Sequence, residues 1–475
     1  MPEQMKKIIL PALILLSAAV SAYSQSRTSY FVRNSTQNHN FNAAFVPDQG
    51  YVGVPFLNGF DIQLGSNLGT STFLYSLSSG KTGLFLNEEV SPDLFLSRLR
   101  NNNYLDLNFG YDAVDFGWFT GKDSFWTVSL GLDVNMDTSI PKEFFRFLKN
   151  GMEDNPQTYS ITNLGLGAQA YAHLSVGYSR GLDELVKGLR VGGKVKLLAS
   201  VADIQMRIDR LDLNMSSERW NVTSLGSASI LGGGIVPTLN EDGYVDGVQF
   251  DPSGLGVGGF GLAFDLGAEY TLSEGTPVDG LRFSLSVTDL GFISYSKSKS
   301  RVYEADGSVD FEGMENLGGE GGNDLSGLSD NLMELVSFTE QPVTGNRNGS
   351  LAATLYAGVD YSFLNDKMNV GLLYSARFGR FRTDNELTLA WNYSPVRSFN
   401  IALSYSLLKT HSTFGWLITF VPTKGVGLFL GSDYTPLNYT AVNLNGVRIP
   451  VPAKEIMFDA HFGLTISLGG TNRRY

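Results

Sequence analysis

The chain has no cysteine, which removes disulfide scaffolds, thiolate metal sites and cysteine nucleophiles in one step. Histidine is scarce too: His39, His173, His411 and His461 are all that 475 residues supply for acid/base work. Charged residues make up 17%, well below the ~25% of ordinary soluble domains, and the formal net charge is −12. So acidic a balance argues against nucleic acid, because phosphate binding needs Lys and Arg to displace counterions. Long apolar runs are missing as well; after Val20 nothing approaches the ~18 residues of a helical membrane span. What is present is 43% hydrophobic residues, 12% aromatics and 54 Gly. That much apolar surface opposes disorder, and with so little charge it fits a glycine-rich β protein largely shielded from water.

One short apolar run opens the chain. Lys6 and Lys7 precede Ile8 to Val20, which Pro11 interrupts and the small or polar Ser21, Ala22 and Ser24 follow. This reads as a secretory signal peptide over residues 1–25, cleaved near Ser24 or Gln25. With no lipid-attachment cysteine and no apolar helix, a membrane location requires a closed β-barrel, in which every backbone group pairs along the sheet.

Beyond residue 100 the dominant signal is alternation with a period of two. Trp126, Val128, Leu130, Leu132, Val134 and Met136 interleave with Thr127, Ser129, Gly131, Asp133, Asn135 and Asp137. A helix would scatter these two sets around its circumference; a strand separates them onto a greasy and a wet face. The runs are ten to fifteen residues or longer, where globular strands cluster near ~5 to 6 and a tilted membrane strand needs ~9 to 11. Aromatics such as Tyr104, Trp126, Tyr178, Tyr270, Trp391, Trp416 and Phe420 stand at strand ends, as bilayer interfaces favour.

The predicted fold is therefore all-β: a single transmembrane antiparallel barrel of about fourteen strands with an N-terminal plug and long extracellular loops. Strands are expected at 59–68, 104–119, 124–139, 160–180, 189–205, 254–273, 281–299, 349–364, 367–381, 384–394, 398–409, 411–421, 425–435 and 455–468. A bacterial barrel with both termini in the periplasm needs an even number. A further β-like segment near 217–231 is accordingly assigned, with the rest of 206–253, to an extracellular excursion containing a hairpin. Residues 69–103, 140–159, 300–348 and 436–454 are the other outer loops, and turns such as 121–123, 364–366 and 422–424 face the periplasm. Pro141 to Gly151 reads as a short amphipathic helix over the mouth or along the outer leaflet. Residues 302–346 hold ten Asp or Glu and no Lys or Arg, a run suited to solvation and repulsion at the surface.

The inward face carries a charge ladder. Lys194 and Lys196 on the fifth strand are expected beside His173 on the fourth and Asp265 and Glu269 on the sixth, as a structural feature of the lumen. Asp106, Asp112, Asp133, Arg282, Asp360, Arg377, Glu386, Asp459 and His461 also point inward, so the lumen is mixed in sign. Fourteen strands enclose more space than side chains alone fill. The segment 26–58, with Phe31, Phe41, Asn42, Phe45, Pro47 and Tyr51, is read as a plug, followed by the barrel from 59 to 475.

No enzyme, metal or cofactor is expected. Each histidine reads as a polar lumen, plug or loop residue, and His411-Ser412 cannot pair simply because adjacent strand residues point opposite ways. Gly254 to Gly259 formally matches a dinucleotide fingerprint, but Gly261 to Leu272 alternates as a strand where a helix would be needed. At the chain end, His461, Gly463, Ile466 and Leu468 follow the polar-x-Gly-x-x-apolar-x-apolar pattern that looks like the signal read by the barrel-assembly machinery.

Asn42-Ala43-Ala44-Phe45-Val46-Pro47 and Gly50-Tyr51-Val52-Gly53-Val54-Pro55, with Trp391-Asn392-Tyr393-Ser394-Pro395 and Gly431-Ser432-Asp433-Tyr434, resemble an uncharacterised family of Bacteroidota outer-membrane proteins. More distantly the chain is similar to the FadL-like fatty-acid transporters, which have fourteen strands and an N-terminal hatch with an Asn-Pro-Ala element; here Ala43 stands in place of that Pro. The resemblance implies a plugged channel of the cell outer membrane that takes up hydrophobic small molecules. The alternatives are an accessory scaffold of a secretion or surface complex and an outer-membrane hydrolase. The partners implied are the lipid bilayer, the assembly machinery, and a hydrophobic small molecule or lipopolysaccharide.

Overall fold

The computed structural model describes residues 27–80, 82–121, 123–151, 156–216, 219–232, 234–239, 245–250, 254, 256–272, 279–311, 336–409, 412–435, 439–444, 447–452 and 454–471. The signal peptide read over 1–25, His411 and the central part of the acidic loop lie outside the described residues.

The strands alternate because the two faces of each have opposite solvents, and here the usual polarity is inverted. On the strand Gln157–Gly181, Ser175 and Ser179 are each 2% exposed, whereas Leu174 and Val176 are 42% and 43% exposed. The wet set turns inward and the greasy set faces out, all the way around one ring. In chain order the wall strands are β1 (Gln49–Gly53 continued by Phe60–Ser66), β2 (Leu105–Thr120), β3 (Ser124–Pro141), β4 (Gln157–Gly181), β5 (Leu189–Met215), β6 (Gly259–Thr271) and β7 (Leu281–Tyr295). They continue as β8 (Thr354–Phe363), β9 (Met368–Phe378), β10 (Thr383–Val396), β11 (Phe399–Leu408), β12 (Ser412–Phe420), β13 (Gly425–Thr435) and β14 (Ile456–Thr471). Each pairs antiparallel with its sequence neighbours, and β14 pairs with β1, closing a fourteen-strand barrel with no free edge.

Two boundaries differ most from the sequence reading. The first wall strand starts at Gln49 rather than 59: Tyr51 and Val52 pair with Gly117 and Phe116 on β2 and with Ser467 and Ile466 on β14. The strand is interrupted at 54–59, where Phe56 takes a positive φ of 65° and stands 74% exposed. Alternation broke there, which hid the strand. At the other end β5 runs on to Met215, past the expected 205. Its first half pairs with β6, and its second half with Trp220–Leu231, which in turn pairs with Ser300–Phe311. The β-like stretch near 217–231 is thus a strand stacked beyond β6 rather than a fifteenth position in the ring, so the even count stands.

The long connections gather at one end and pack on one another. Helix Lys142–Asn150 starts after Pro141 and ends at Gly151, whose φ is 56°, and buries Phe145, Phe147 and Leu148. Phe147 meets Tyr159 and Trp220 edge-on, and Phe145 packs near Phe95 of the short helix Pro92–Ser97. This apolar cluster, with Leu211, Leu213 and Val222 from the extended strands, makes a cap instead of separate loops.

Candidate functional site

Residues 27–48 lie inside the ring, and their seating is built from small residues on the wall. Gly192 on β5 and Gly267 on β6 are register partners facing the lumen. A Cβ on Gly192 would come within 1.9 Å of the Ala43 carbonyl oxygen, and one on Gly267 within 1.9 Å of Asn42 Oδ1, so only glycine lets the chain lie flat against the sheet. Asn42 Nδ2 donates to the Ala268 and Leu285 carbonyls at 3.1 and 3.4 Å. Ser286 Oγ donates to the Phe41 carbonyl at 2.6 Å and Ser179 Oγ to that of Ala44 at 3.1 Å. Two carbonyls of the plug are thus satisfied by β4 and β7, and the Asn42 side chain ties it to β6 and β7.

Aromatic packing fills the remaining space. Tyr30, Phe31, Phe41 and Phe45 are buried together with Tyr356, Leu373 and Ala390 of the wall, mostly in edge-on contacts. Each such ring contributes about 1.5–3 kcal/mol when fully buried. Of the residues expected in the plug, Phe31, Phe41, Asn42 and Phe45 sit in this core, and Pro47 leads toward the wall. Tyr51 belongs instead to β1, from which its hydroxyl points in.

That hydroxyl belongs to a chain of polar contacts. Lys194 Nζ donates to His39 Nδ1 at 3.1 Å, His39 Nε2 lies 2.5 Å from Tyr51 Oη, and Tyr51 donates to Asp115 at 3.0 Å. An ammonium can only donate, so Nδ1 accepts and the proton sits on Nε2. Burial, then the ammonium groups of Lys194 and Lys196, hold the His39 imidazole well below its ordinary pKa, which keeps it neutral. Further in, Arg27 and Thr28 give their backbone N–H groups to Asp433.

The charge ladder is distributed rather than continuous. Lys196 pairs with Asp265 at 3.0 Å and with Asp289 at 2.6 Å. Lys194 turns to the plug. His173 reaches the other way, to Asp112 at 3.2 Å and Asp133 at 2.7 Å. Glu269 pairs with Arg282, which also holds Asp360. His173 is thus not hydrogen-bonded to the lysines: Asp112 of β2 and Asp133 of β3 offer it carboxylates, while Lys194 and Lys196 on β5 are taken by other partners. In the terminal pattern His461 lies inside between Asp61 and Asp459, at 2.8 and 2.9 Å, while Ile466 and Leu468 face out. The wall is glycine-thin at Gly463, where a Cβ would strike the Phe429 ring.

Asp433, Asp459 and His461 bring ligand atoms within 4.8 Å of one another. Their oxygens already accept from Thr28, Ser432 and the backbone of residues 433 and 434, so this donor set holds protein rather than an ion.

A second closure, which the sequence reading missed, comes from the short turn between β9 and β10. Residues 379–382 fold inward across the lumen. Arg380 donates to Asp203 at 2.6 Å, Phe381 lies on Gly165 of β4, and Arg382 binds Asp106 and Asp384 beneath the Tyr104 ring. Asp203 also accepts from Tyr295 and pairs with Arg347. A phenylalanine flanked by two arginines in a tight turn was the available signal.

The profile of a family of unknown function (DUF5723) matches residues 43–433. No curated protein matches the chain significantly. Among solved structures, the chain is similar to a TodX monoaromatic hydrocarbon channel mutant lacking S2 and S3 (9% identity, 94% of this chain and 100% of that one, TM-score 0.43). It is also similar to the toluene transporter TodX of Pseudomonas putida (10%, 94% and 98%, TM-score 0.39). A third likeness is to the translocator domain of autotransporter NalP from Neisseria meningitidis (7%, 89% and 89%, TM-score 0.32).

Proposed function

The chain belongs to DUF5723, a family of unknown function, and from that premise and the geometry above we propose that it is a channel of the outer membrane whose lumen is closed by its own N-terminal segment. One observation carries the reading: residues 27–48 occupy the ring through identifiable side-chain and backbone contacts, on a wall whose greasy face is turned outward. The signal peptide and the terminal pattern at His461 to Leu468 support export and insertion, with the long connections outside and turns such as 121–123, 364–366 and 422–424 in the periplasm.

The test is conductance in planar bilayers of the full chain and of a variant lacking residues 27–46, which leaves β1 intact from Gln49. The deletion is expected to conduct steadily while the full chain stays mostly closed; equal conductance would overturn the proposal.

Uptake of hydrophobic small molecules has its own support. An apolar groove of about 490 Å³ lies on the wall over β6 to β10, lined by Tyr270, Phe283, Leu285, Leu372, Tyr374 and Leu387. The Leu285 and Ala268 carbonyls that hold Asn42 belong to this same stretch of wall. An apolar solute collecting there lies one sheet thickness from the plug.

A further inference from the structure

Between the plug and the inward turn lies a cavity of about 430 Å³, within the ~300–1,000 Å³ range of small-molecule sites. Arg27 forms part of its floor, and β1, β2, β10 and β13 contribute to its sides. A neighbouring space of about 140 Å³ shares Arg27, Gln63, Asn108 and Arg377 with it.

The lining chemistry is specific. Its guanidinium groups are already matched: Arg27 to Glu386 at 3.3 Å, Arg100 to Glu455 at 3.2 Å, Arg377 to Asp137 at 3.0 Å, and Arg382 to Asp106 and Asp384. Amides stand between them, Gln63 and Asn108 facing each other at 3.4 Å and Asn67 nearby. Tyr104 and Tyr434 add flat rings with hydroxyl groups.

An apolar solute placed here would take water from these groups and return no hydrogen bond. A free anion would meet arginines whose charge is already answered, with only the exposed Lys409 at the edge to receive it. A solute bearing a hydroxyl on nearly every carbon both donates and accepts, which is what paired carboxylates, paired guanidiniums and amides require together. We propose that this chamber binds a short polyhydroxylated solute of the oligosaccharide class. The assignment rests on the channel reading and names its cargo, and it goes against a hydrophobic occupant of the lumen.

Saturation-transfer NMR on the full chain in detergent micelles, with maltotriose, citrate and toluene as separate probes, tests it without needing the plug to open. Maltotriose is expected to give transfer signals, and Gln63→Leu/Asn108→Leu to weaken its binding about tenfold, the change that ~1.4 kcal/mol produces. Because Asn108 Oδ1 also accepts from Arg377 at 3.0 Å, circular dichroism checks the β content of the double variant, and Gln63→Leu alone, which leaves that bond in place, is measured beside it and is expected to weaken maltotriose in the same direction. Toluene or citrate binding with maltotriose silent, silence from all three, or unchanged maltotriose binding in the double variant would each overturn the assignment. The conductance of the plug deletion would stand or fall separately.

Discussion

The lumen is closed twice, and the two closures are made of different materials. The stretch of the plug around Phe41 to Phe45 is seated on neutral contacts, backbone carbonyls, serine hydroxyls, one asparagine and a knot of aromatic rings pressed against a glycine pair, while charge enters at Arg27, on Glu386 and Asp433, and at His39, on Lys194. The inward turn at 379–382 is held by charge, with Arg380 and Arg382 reaching Asp203 and Asp106 across the barrel. Neutral contacts of this kind are individually weak and depend on shape, so a small steric change releases them together. Buried ion pairs depend on their partners, and removing one partner strands the other. The first arrangement suits a part that moves; the second suits a part that stays.

The largest change in gating that would break this comparison is expected from Gly192→Val. Its side chain overlaps the Ala43 carbonyl position, so the plug cannot lie flat. Bilayer recordings should show at least a tenfold rise in open fraction, the change that ~1.4 kcal/mol of lost seating produces, with little change in thermal unfolding. A closed Gly192→Val channel would mean the plug is seated elsewhere.

Asp203→Asn should do the reverse. It leaves the half-buried Arg380 and Arg347 without their carboxylate, a loss of about 1.5–3 kcal/mol, while the plug contacts are untouched. Urea unfolding in vesicles should shift strongly and conductance should stay low; an open but stable Asp203→Asn barrel would show that the turn is the gate.

The smallest expected effect concerns pH and the plug alone. His39 has a folded pKa depressed below its ordinary 6.5, so a released plug takes up a proton that the seated one refuses. Seating is therefore fully present above about pH 6.5 and is lost as pH falls below it, by up to ~1.4 kcal/mol per unit. The groups facing His39 are Lys194, Tyr51 and Asp115, the last at 3.9 Å. Protease access to residues 27–48 should rise between pH 6.5 and 5, and His39→Gln should flatten the profile. A native profile that is already flat would mean the imidazole is not held neutral.

Much of the wall was legible in the sequence because the period of two survives wherever lipid and water face opposite sides of one strand. Trp126 to Asp137 needed no tertiary information. The strand at Gln49–Gly53 was lost because Phe56 and Leu57 interrupt the period, and the extension of β5 because the register slips at Asp209, beyond which Leu211 and Leu213 turn their apolar face into the cap while Asn214 stays exposed. Within the lumen, side-chain type told which residues turn inward but not which meet. Lys194 and His39 are 155 residues apart in sequence, and no local pattern links them. Gly192 and Gly267 looked like two more glycines among 54 until register made them opposite each other.

The pairing of β1 with β14 has a consequence for how the molecule is made. Gln49 meets Thr471 across roughly 420 residues of chain, so the contact that completes the circle is among the most distant in sequence and among the slowest to form. The segment ahead of Gln49 is therefore enclosed as the circle completes, and biogenesis must deliver its inner occupant and its final hairpin together.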